Sequence, residues 1–464
     1  MQKRQGVSTP PDRSGDSGQR RRDGYIYIGL LAGLLVVGFV AMNLGEQEQS
    51  GEVIAVTAAD TAVAPSSTSP SSVVAPSTST SVLTSTTSST LPATTSTTTS
   101  TTSTIPLANR SLERIDSVFG NIAPKSVAAT SNGLFFAQNM MYRHTVTVYD
   151  EFGSLLRTID DRVDLAEYGF PDRGVAQGAP VEAASTSDGS YVYVSNYAMY
   201  GPGFGPEPDD SCTNSGWDNS FVYRVDANTL DIDQVIEVGA VPKFLAVSPD
   251  DQYVVVSNWC SYDVSIIDTT YGREIARVDI GRHPRGVAIS SDSSTAYVTE
   301  MGGTDIAVIP LDEIGRPDTA IIPPNSIDAV IGDWNLDFEI DWIEDVGNGP
   351  RSVVLSPDDQ WLYATLNGDG KVVKIDADTG EVVESVRTGD APRSMAMSGD
   401  GSVLYIVNYF SDSLSKVVTD SFEEVQEIPT ADKPIGITVD PLRATVWVSS
   451  YSGVLQIFED QVVE

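Results

Sequence analysis

A proline-marked repeat constrains this chain of 464 residues more than any other feature of its sequence. In each clear copy an apolar stretch follows the proline, then a polar turn, then a run rich in Val and Tyr. Three of the six intervals between markers are 42 residues and the others are longer, so the unit is 42 residues with insertions. The markers are Pro124, Pro180, Pro242, Pro284, Pro350, Pro392 and Pro434.

Each unit is predicted to contain four short strands. In the third unit, the stretch after Pro242 is followed by 253–256, 264–268 and 274–278, which are rich in Val and Ile and too short for helices. A single four-stranded sheet cannot bury both faces, whereas sheets repeated around an axis cover one another. The sequence therefore predicts an all-β fold, a seven-bladed β-propeller over 108–464. An open solenoid is the alternative, but it needs capping repeats, and the sequence shows none.

The seventh unit is about one strand short at the C-terminus. The segment 111–116 resembles 273–278, the fourth strand of the third unit, so the missing strand stands at the other end of the repeat region. We expect this N-terminal strand to complete the last blade. Closure of this kind leaves no exposed sheet edge.

The tetrads 193–196 (YVSN) and 297–300 (YVTE) resemble the signature of the YVTN-type β-propeller repeat family, which is common in microbial surface proteins. The resemblance covers roughly 108–464 and implies a seven-bladed propeller. Propellers of this kind include surface-layer proteins, lactonases and lyases that open cyclic substrates, and simple binding scaffolds. A shared fold by itself implies none of these activities.

Three segments precede the propeller. Residues 1–24 are rich in Arg and are predicted to be a cytoplasmic tail. Residues 25–44 carry no charge and are long enough to span a bilayer as a helix, and no Lys or Arg follows until Arg110, so we expect a single-pass cell-membrane protein with an extracellular propeller. A cleaved signal peptide is the alternative. The Ser/Thr-rich residues 45–107 are predicted to be a disordered stalk.

The amino-acid composition limits the classes of partner that the chain can bind. The chain has 28 Lys and Arg against 64 Asp and Glu, a net charge of −36, which argues against nucleic acid because phosphate neutralisation needs a basic surface. Two Cys and two His are too few for a cysteine-rich or multi-histidine metal site, so no metal or cofactor is expected. The membrane remains as a partner, together with a cell-wall polymer, a glycan or another protein.

Basic residues recur directly after the marker prolines, where an innermost strand begins near the mouth of the central channel. Converging cations in a concave site attract anions, and Arg presents a planar fork that suits carboxylate or phosphate. The structural alternative is that each cation pairs with an acidic side chain or a carbonyl of the next blade. Five of the seven positions are basic, namely Lys125, Lys243, Arg285, Arg351 and Arg393.

The ends of the second strands face the same mouth. Amides and aromatic rings there can hydrogen-bond to a glycan and stack on it. The structural alternative is that the Asn side chains cap turns and the rings pack between blades. The candidate residues are Asn196, Tyr197, Asn258, Trp259, Asn408, Tyr409 and Tyr451.

Catalysis is the rival to binding at the same mouth. Lactonase and lyase relatives use His, Glu and Arg in this region, so the resemblance makes His283, Glu182 and Glu300 candidate acid–base groups. The sequence contains no Ser-His-Asp or metal-ligand pattern. We therefore expect a binding or surface-scaffold module, with a lactonase- or lyase-like enzyme as the alternative.

An insertion in the second unit carries Cys212, and Cys260 follows Trp259 in the third unit. Both cysteines lie on adjacent blades, on the same face and outside the membrane, so we expect a disulfide between them. Two free thiols or an intermolecular link are the alternatives. The acidic side chains of the same insertion, Asp210 among them, are predicted to form a solvated loop rather than a calcium site.

Overall fold

The computed structural model describes residues 106–206, 210–212, 216–315, 336 and 338–462. The predicted cytoplasmic tail (1–24), transmembrane helix (25–44) and nearly all of the predicted stalk (45–107) lie outside these residues. In the part of the chain that the structure describes, no helix has the length and apolar character needed to cross a bilayer. The helices there are two short 3-10 turns, Leu107–Asn109 and Leu165–Tyr168.

Seven antiparallel sheets are arranged in the order of the chain. The first strand, β1 (Ser111–Val118), belongs to the last sheet. Blade 1 consists of β2 (Ser126–Ala129), β3 (Phe135–Asn139), β4 (Thr145–Tyr149) and β5 (Leu155–Asp160). Blade 2 consists of β6 (Arg162–Asp164), β7 (Val175–Ser185), β8 (Tyr191–Tyr200), β9 (Ser220–Asp226) and β10 (Asp231–Val238). Blade 3 consists of β11 (Pro242–Val247), β12 (Tyr253–Asn258), β13 (Asp263–Asp268) and β14 (Arg273–Asp279).

The remaining blades follow the same plan. Blade 4 consists of β15 (Pro284–Ile289), β16 (Thr295–Glu300), β17 (Ile306–Pro310) and β18 (Asp341–Ile343). Blade 5 consists of β19 (Pro350–Leu355), β20 (Trp361–Leu366), β21 (Lys371–Asp376) and β22 (Val382–Arg387). Blade 6 consists of β23 (Pro392–Met397), β24 (Val403–Asn408), β25 (Ser413–Val418) and β26 (Glu423–Pro429). Blade 7 consists of β27 (Pro434–Val439), β28 (Val446–Ser450), β29 (Val454–Gln461) and β1.

The core lies between blades. Val255 and Ile266 of blade 3, for example, pack in one cluster with Val298 of blade 4, and all three side chains are fully buried. Each strand presents β-branched side chains on both faces because a neighbouring blade covers each face. The innermost strands β2, β7, β11, β15, β19, β23 and β27 contact their neighbours around the whole ring.

The predicted ring closure is confirmed. β1 pairs antiparallel with β29, from Ser111 opposite Gln461 to Val118 opposite Leu455. The predicted number of seven blades is confirmed as well. Because all seven blades and the closing strand lie within 106–462, this part of the chain contains a complete ring by itself.

A buried ion pair fastens the closing strand to blade 6. The Lys416 ammonium on β25 contacts the Asp460 carboxylate on β29, and both side chains are fully buried. Lys416 Nζ also donates to the carbonyl oxygens of Leu107 at 2.7 Å and Arg110 at 2.8 Å, just before β1. Gln426 of β26 pairs with the backbone N–H of Leu112 at 2.8 Å and with its carbonyl at 3.1 Å. Side chains of blade 6 therefore hold both ends of the ring.

Blade 2 differs from the repeat because it has a fifth strand and a longer central hairpin. β6 pairs with the first residues of β7, and β8 continues four residues past Asn196 to Tyr200, so the expectation that Asn196 ends the second strand is wrong. The hairpin crosses a crowded point at Gly178, where a Cβ would collide with the side chains of Asp161 and Asn196. Glycine is required there by close packing rather than by backbone conformation.

The predicted disulfide is confirmed. Cys212 and Cys260 are bonded, with their Cα atoms 5.3 Å apart and a sequence separation of 48. The bond attaches the blade 2 insertion, which lies between β8 and β9, to the segment that directly follows β12 in blade 3.

Replacing Lys416 by Met is expected to lower the free energy of unfolding by about 3–5 kcal/mol, because it leaves the Asp460 carboxylate buried without its cation. The measurement is chemical denaturation of a fragment covering 106–464. The matched control is Lys374→Met, the same repeat position in blade 5, where Glu384 lies 4.0 Å away and is half exposed. That control should lose only about 1–2 kcal/mol, because Lys374 lies over the Trp361 ring and donates to the Thr419 carbonyl at 3.4 Å but has no buried carboxylate partner in the described structure. Equal losses in the two variants would show that the buried pair does not fasten the ring.

The double variant Cys212→Ser/Cys260→Ser is expected to unfold with about 2–4 kcal/mol less stability than the oxidised protein, because the open chain regains loop entropy. Dithiothreitol should produce the same loss in the natural sequence and none in the double variant, since the chain contains two cysteines in all. A reductant effect that persists in the double variant would contradict this explanation.

Candidate functional site

Four of the five predicted cationic residues occupy β-bulges at the start of innermost strands. The register of β15 with β16, for example, shifts between Pro284 and Val287, and Arg285 lies in that shift. The same irregularity follows the marker proline in β11, β19 and β23, where Lys243, Arg351 and Arg393 lie. A bulge breaks the alternation of side chains and re-aims one of them. The bulge therefore directs these cations away from the flat faces of the blades.

Hydroxyl groups of the tetrads hold these bulges in place. Ser257 Oγ donates to the Arg285 carbonyl at 2.7 Å, and Thr299 Oγ1 donates to the Arg351 carbonyl at 3.3 Å. Ser195 Oγ donates in the same way to the Lys243 carbonyl at 3.0 Å. Each hydroxyl is the third residue of its tetrad, which for Ser257 is 255–258 (VVSN), and reaches the following blade. The repeated Ser or Thr thus sets the spacing between successive cations around the ring.

Glu182 of blade 2 joins cations from two other blades. Its Oε1 accepts from Lys125 Nζ at 3.2 Å and from Arg285 Nη2 at 3.1 Å, and all three side chains are less than a tenth exposed. Burial alone would raise the pKa of Glu182, but the charges of Lys125 and Arg285 outweigh it and hold this pKa below its ordinary value. Because Arg285 comes from blade 4 and Lys125 from blade 1, the cations converge on the propeller axis.

Two cations of the cluster have no acidic partner. Among the described residues, neither Arg351 nor Arg393 has a carboxylate within ion-pair distance. Arg351 Nη1 lies 3.4 Å from the sulfur of Met301, and the Arg393 guanidinium stacks over the Tyr409 ring at 3.6 Å. Buried Nε atoms of both arginines and Nη1 of Arg285 have no hydrogen-bond partner in the described structure. Donors are therefore available on three neighbouring blades.

The remaining cation pairs with the blade 2 insertion. Lys243 Nζ lies 2.6 Å from Asp210 Oδ1 and over the rings of Tyr197 at 4.3 Å and Trp259 at 5.2 Å. Burial lowers the pKa of Lys243 to about 8, against the opposing charge of Asp210. Asp210 is solvated as predicted, with 68% of its side chain exposed, but the neighbouring Cys212 disulfide also brings its carboxylate to Lys243, a contact that the prediction did not include. In the sequence, the position of Asp210 two residues before a cysteine was the signal for this contact.

We refer to Lys125, Lys243, Arg285, Arg351 and Arg393 together as the cationic cluster. Its five basic side chains face two carboxylates, Glu182 and Asp210, within ion-pair distance in the described structure, so two cations have no acidic partner there and the cluster keeps an excess of three positive charges. Burial lowers the pKa of Lys125 and of Arg351 well below their ordinary values, and the nearby Arg285 charge adds to both effects. An added anion would therefore lower the electrostatic free energy of the cluster.

The predicted aromatic residues divide into two groups. Tyr197 and Trp259 are nearly buried in an apolar cluster beneath the disulfide, and the Trp259 indole N–H donates to the Asp210 carbonyl at 2.8 Å. Tyr409 and Tyr451 are half-buried beside Arg393, with ring centres 6.1 Å apart. Burial raises the pKa of Tyr451 to about 12, so this hydroxyl stays protonated as a donor. The blade 6 and 7 side of the cluster is thus the more accessible one.

The predicted asparagines are placed inside the blades rather than at the cluster. Asn196, Asn258 and Asn408 have fully buried side chains. The Asn258 amide donates to Asp263 Oδ1 at 2.7 Å and to Ser265 Oγ at 2.8 Å in the next strand of its own blade. Asn408 repeats this pattern with serines of β25. The geometry of Asn258 and Asn408 matches the turn-capping alternative, whereas the buried amide nitrogen and oxygen of Asn196 have no hydrogen-bond partner in the described structure.

The three candidate acid–base groups are not assembled into a catalytic arrangement. His283 is stacked on Trp259 at 4.3 Å, and its Nε2 has no hydrogen-bond partner in the described structure. Burial, with a smaller effect of Arg282, lowers the pKa of His283, so the ring is neutral at neutral pH. Glu182 is engaged by Lys125 and Arg285, and Glu300 Oε1 accepts from the backbone N–H of Arg282 at 2.8 Å. The described residues contain no group of three or more His, Cys, Asp or Glu suited to a metal ion.

Comparison with known proteins supports the fold. No protein-family model matches the chain. The chain is similar to Antigen Lp49 of Leptospira interrogans, with 27% identity over 36% of this chain and 46% of that protein, so it spans about half the length of this curated relative. Hydrazine synthase of Kuenenia stuttgartiensis is a solved structure with a TM-score of 0.54 and 18% identity, covering 75% of this chain and 98% of that chain. This likeness extends to the propeller fold and not to an activity.

Proposed function

We propose that the propeller is a binding or surface-scaffold module whose cationic cluster recognises an anionic group on a ligand or partner. The observation that carries the proposal is the excess of three positive charges over the carboxylates that contact the cluster, with four of the five basic residues buried. Unpartnered charges at a buried site are costly unless another group compensates them. A carboxylate or phosphate placed among Arg285, Arg351 and Arg393 would use the free N–H donors of all three.

The positive charge of the cluster is opposite in sign to the net charge of the chain. The chain carries a net charge of −36, so an anion approaching most of its surface is repelled. Attraction of an anion therefore depends on the local field of the cluster rather than on general basicity. Cell-wall polymers, acidic glycans and acidic proteins all carry the group that such a site takes.

The setting of the module is part of the same proposal. We propose that the chain is a YVTN-type propeller, since the tetrad hydroxyls form the bridges between blades that fix the spacing of the cluster. We further propose that residues 25–44 anchor it in the cell membrane and that the Ser/Thr-rich stalk holds the propeller outside. The uncharged run and the absence of Lys and Arg from 45 to 109 support this orientation.

The double variant Arg351→Gln/Arg393→Gln is expected to bind inorganic phosphate at least tenfold more weakly than the natural sequence, because each lost charged hydrogen bond costs about 1.5–3 kcal/mol. Calorimetric titration of the 106–464 fragment measures the affinity, and retention on phosphocellulose measures binding to a polymer. The matched control is Arg387→Gln, an exposed arginine on the outermost strand of blade 5. If the double variant loses thermal stability but keeps its phosphate affinity, the cluster is structural and the proposal is wrong.

Sulfate affinity is expected to fall about tenfold as the pH rises from 7 to 9, corresponding to about 1.4 kcal/mol. Below its pKa of about 8 Lys243 is a cation, and above it the side chain is neutral and one positive charge is lost from the cluster. Titrations with a sulfate ligand, whose own charge is constant in this range, separate the protein's contribution. The Lys243→Met variant should not show this fall in affinity between pH 7 and 9. An affinity that is flat or rising with pH in the natural sequence would contradict the role of Lys243.

A further inference from the structure

A cavity of about 360 Å³ lies at the inner edges of blades 3 to 6. It is formed by residues of the innermost strands β11, β15, β19 and β23 and of the turns that follow β15 and β19. Its volume falls within the range of small-molecule sites. Most of its wall is apolar, with contributions from Phe244, Val287, Ile289, Val353, Leu355 and Met395.

The cationic cluster adjoins one end of this cavity along two of the innermost strands. Phe244 and Ser352, which line the cavity, directly follow Lys243 and Arg351 in sequence. Consecutive Cα atoms are about 3.8 Å apart, so the backbone of these two cations lies one residue from the cavity wall. Along β19 the wall continues to Ser356, which is roughly 16 Å beyond Arg351 at a strand rise of about 3.3 Å per residue.

The opposite end of the cavity carries a negative charge. Asp359 lines that end, and its Oδ2 accepts from the Ser291 backbone N–H at 2.9 Å and from the Ser291 hydroxyl at 2.6 Å. The cavity is therefore apolar along most of its length and anionic at one end, and the cationic cluster begins one residue beyond the other end along β11 and β19. An anionic group inside it is drawn towards the cluster and repelled from Asp359.

We propose that the ligand of this site is an amphiphilic anion, with a carboxylate or phosphate head in the cationic cluster and an alkyl tail along the apolar wall. The inference rests on the proposed function, since the head occupies the same cluster. Beyond the anionic head, the inference specifies that the rest of the ligand is apolar. A small polar anion would leave the wall in contact with water, whereas an alkyl tail removes that apolar surface from water and strengthens binding.

The test is a calorimetric series with acetate, butanoate, hexanoate and octanoate on the 106–464 fragment, with octyl phosphate to compare the two heads. Affinity is expected to rise about fourfold for each methylene that enters the cavity. Ala288→Phe fills the cavity from β15 and should reduce octanoate affinity to that of acetate, with acetate unchanged. The matched control is Ala246→Phe, the same repeat position in blade 3, which does not line the cavity.

A second variant keeps the test decisive if Ala288→Phe does not fold. Leu355→Ser removes part of the half-buried apolar wall and should weaken octanoate about fivefold while leaving acetate unchanged. Arg351→Gln/Arg393→Gln should weaken every member of the series, because it removes donors to the head.

The outcomes separate the two proposals. Equal affinities for acetate and octanoate would overturn the amphiphile proposal and leave anion binding standing. Chain-length dependence that the arginine variant does not change would also overturn it, because the head would then lie elsewhere. No measurable binding of any anion, octyl phosphate and inorganic phosphate included, would overturn both.

Discussion

The antiparallel pairing of β1 with β29 is the constraint on which the rest of the structure depends. It joins the beginning of the repeat region to its end, and with it the ring acquires a fixed number of blades and a fixed radius. The buried contact of Lys416 with Asp460 and with the carbonyls before β1 secures this joint. Without closure, the innermost strands would not surround one axis, and residues at the same repeat position would not meet.

Closure has an electrostatic consequence. One repeat position, directly after the marker proline, places a side chain near the axis in every blade, so a basic residue there in several repeats concentrates positive charge in a small buried volume. Bulges and tetrad hydroxyls hold the backbone of these residues to the neighbouring blade, which limits how far the cations can separate. Two carboxylates enter this volume from blade 2, and the remaining charge favours an anion from outside.

Much of the fold followed from the sequence because the repeat is encoded locally. The 42-residue period and the shortened last unit predicted seven blades and the closing strand, and the two cysteines predicted the disulfide. Predictions were weaker where blade 2 leaves the repeat. The fifth strand and the extension of β8 past Asn196 depend on residues before Pro180 that have no counterpart in other units. The side chain of Asn258 turns into its own blade because partners in the adjacent strand outcompete an exposed position.

The sequence by itself determined the type of sheet, the number of blades and which residues could meet at the axis, because these properties depend on periodicity and on residue type at a repeat position. Only the tertiary structure decided which of those cations are neutralised. Asp210 reaches Lys243 through an insertion and a disulfide, and Glu182 bridges Lys125 and Arg285 from three different blades. Among the residues that the structure describes, the same packing leaves Arg351 and Arg393 without a carboxylate, since ion pairing depends on distances of a few ångströms that no repeat pattern specifies.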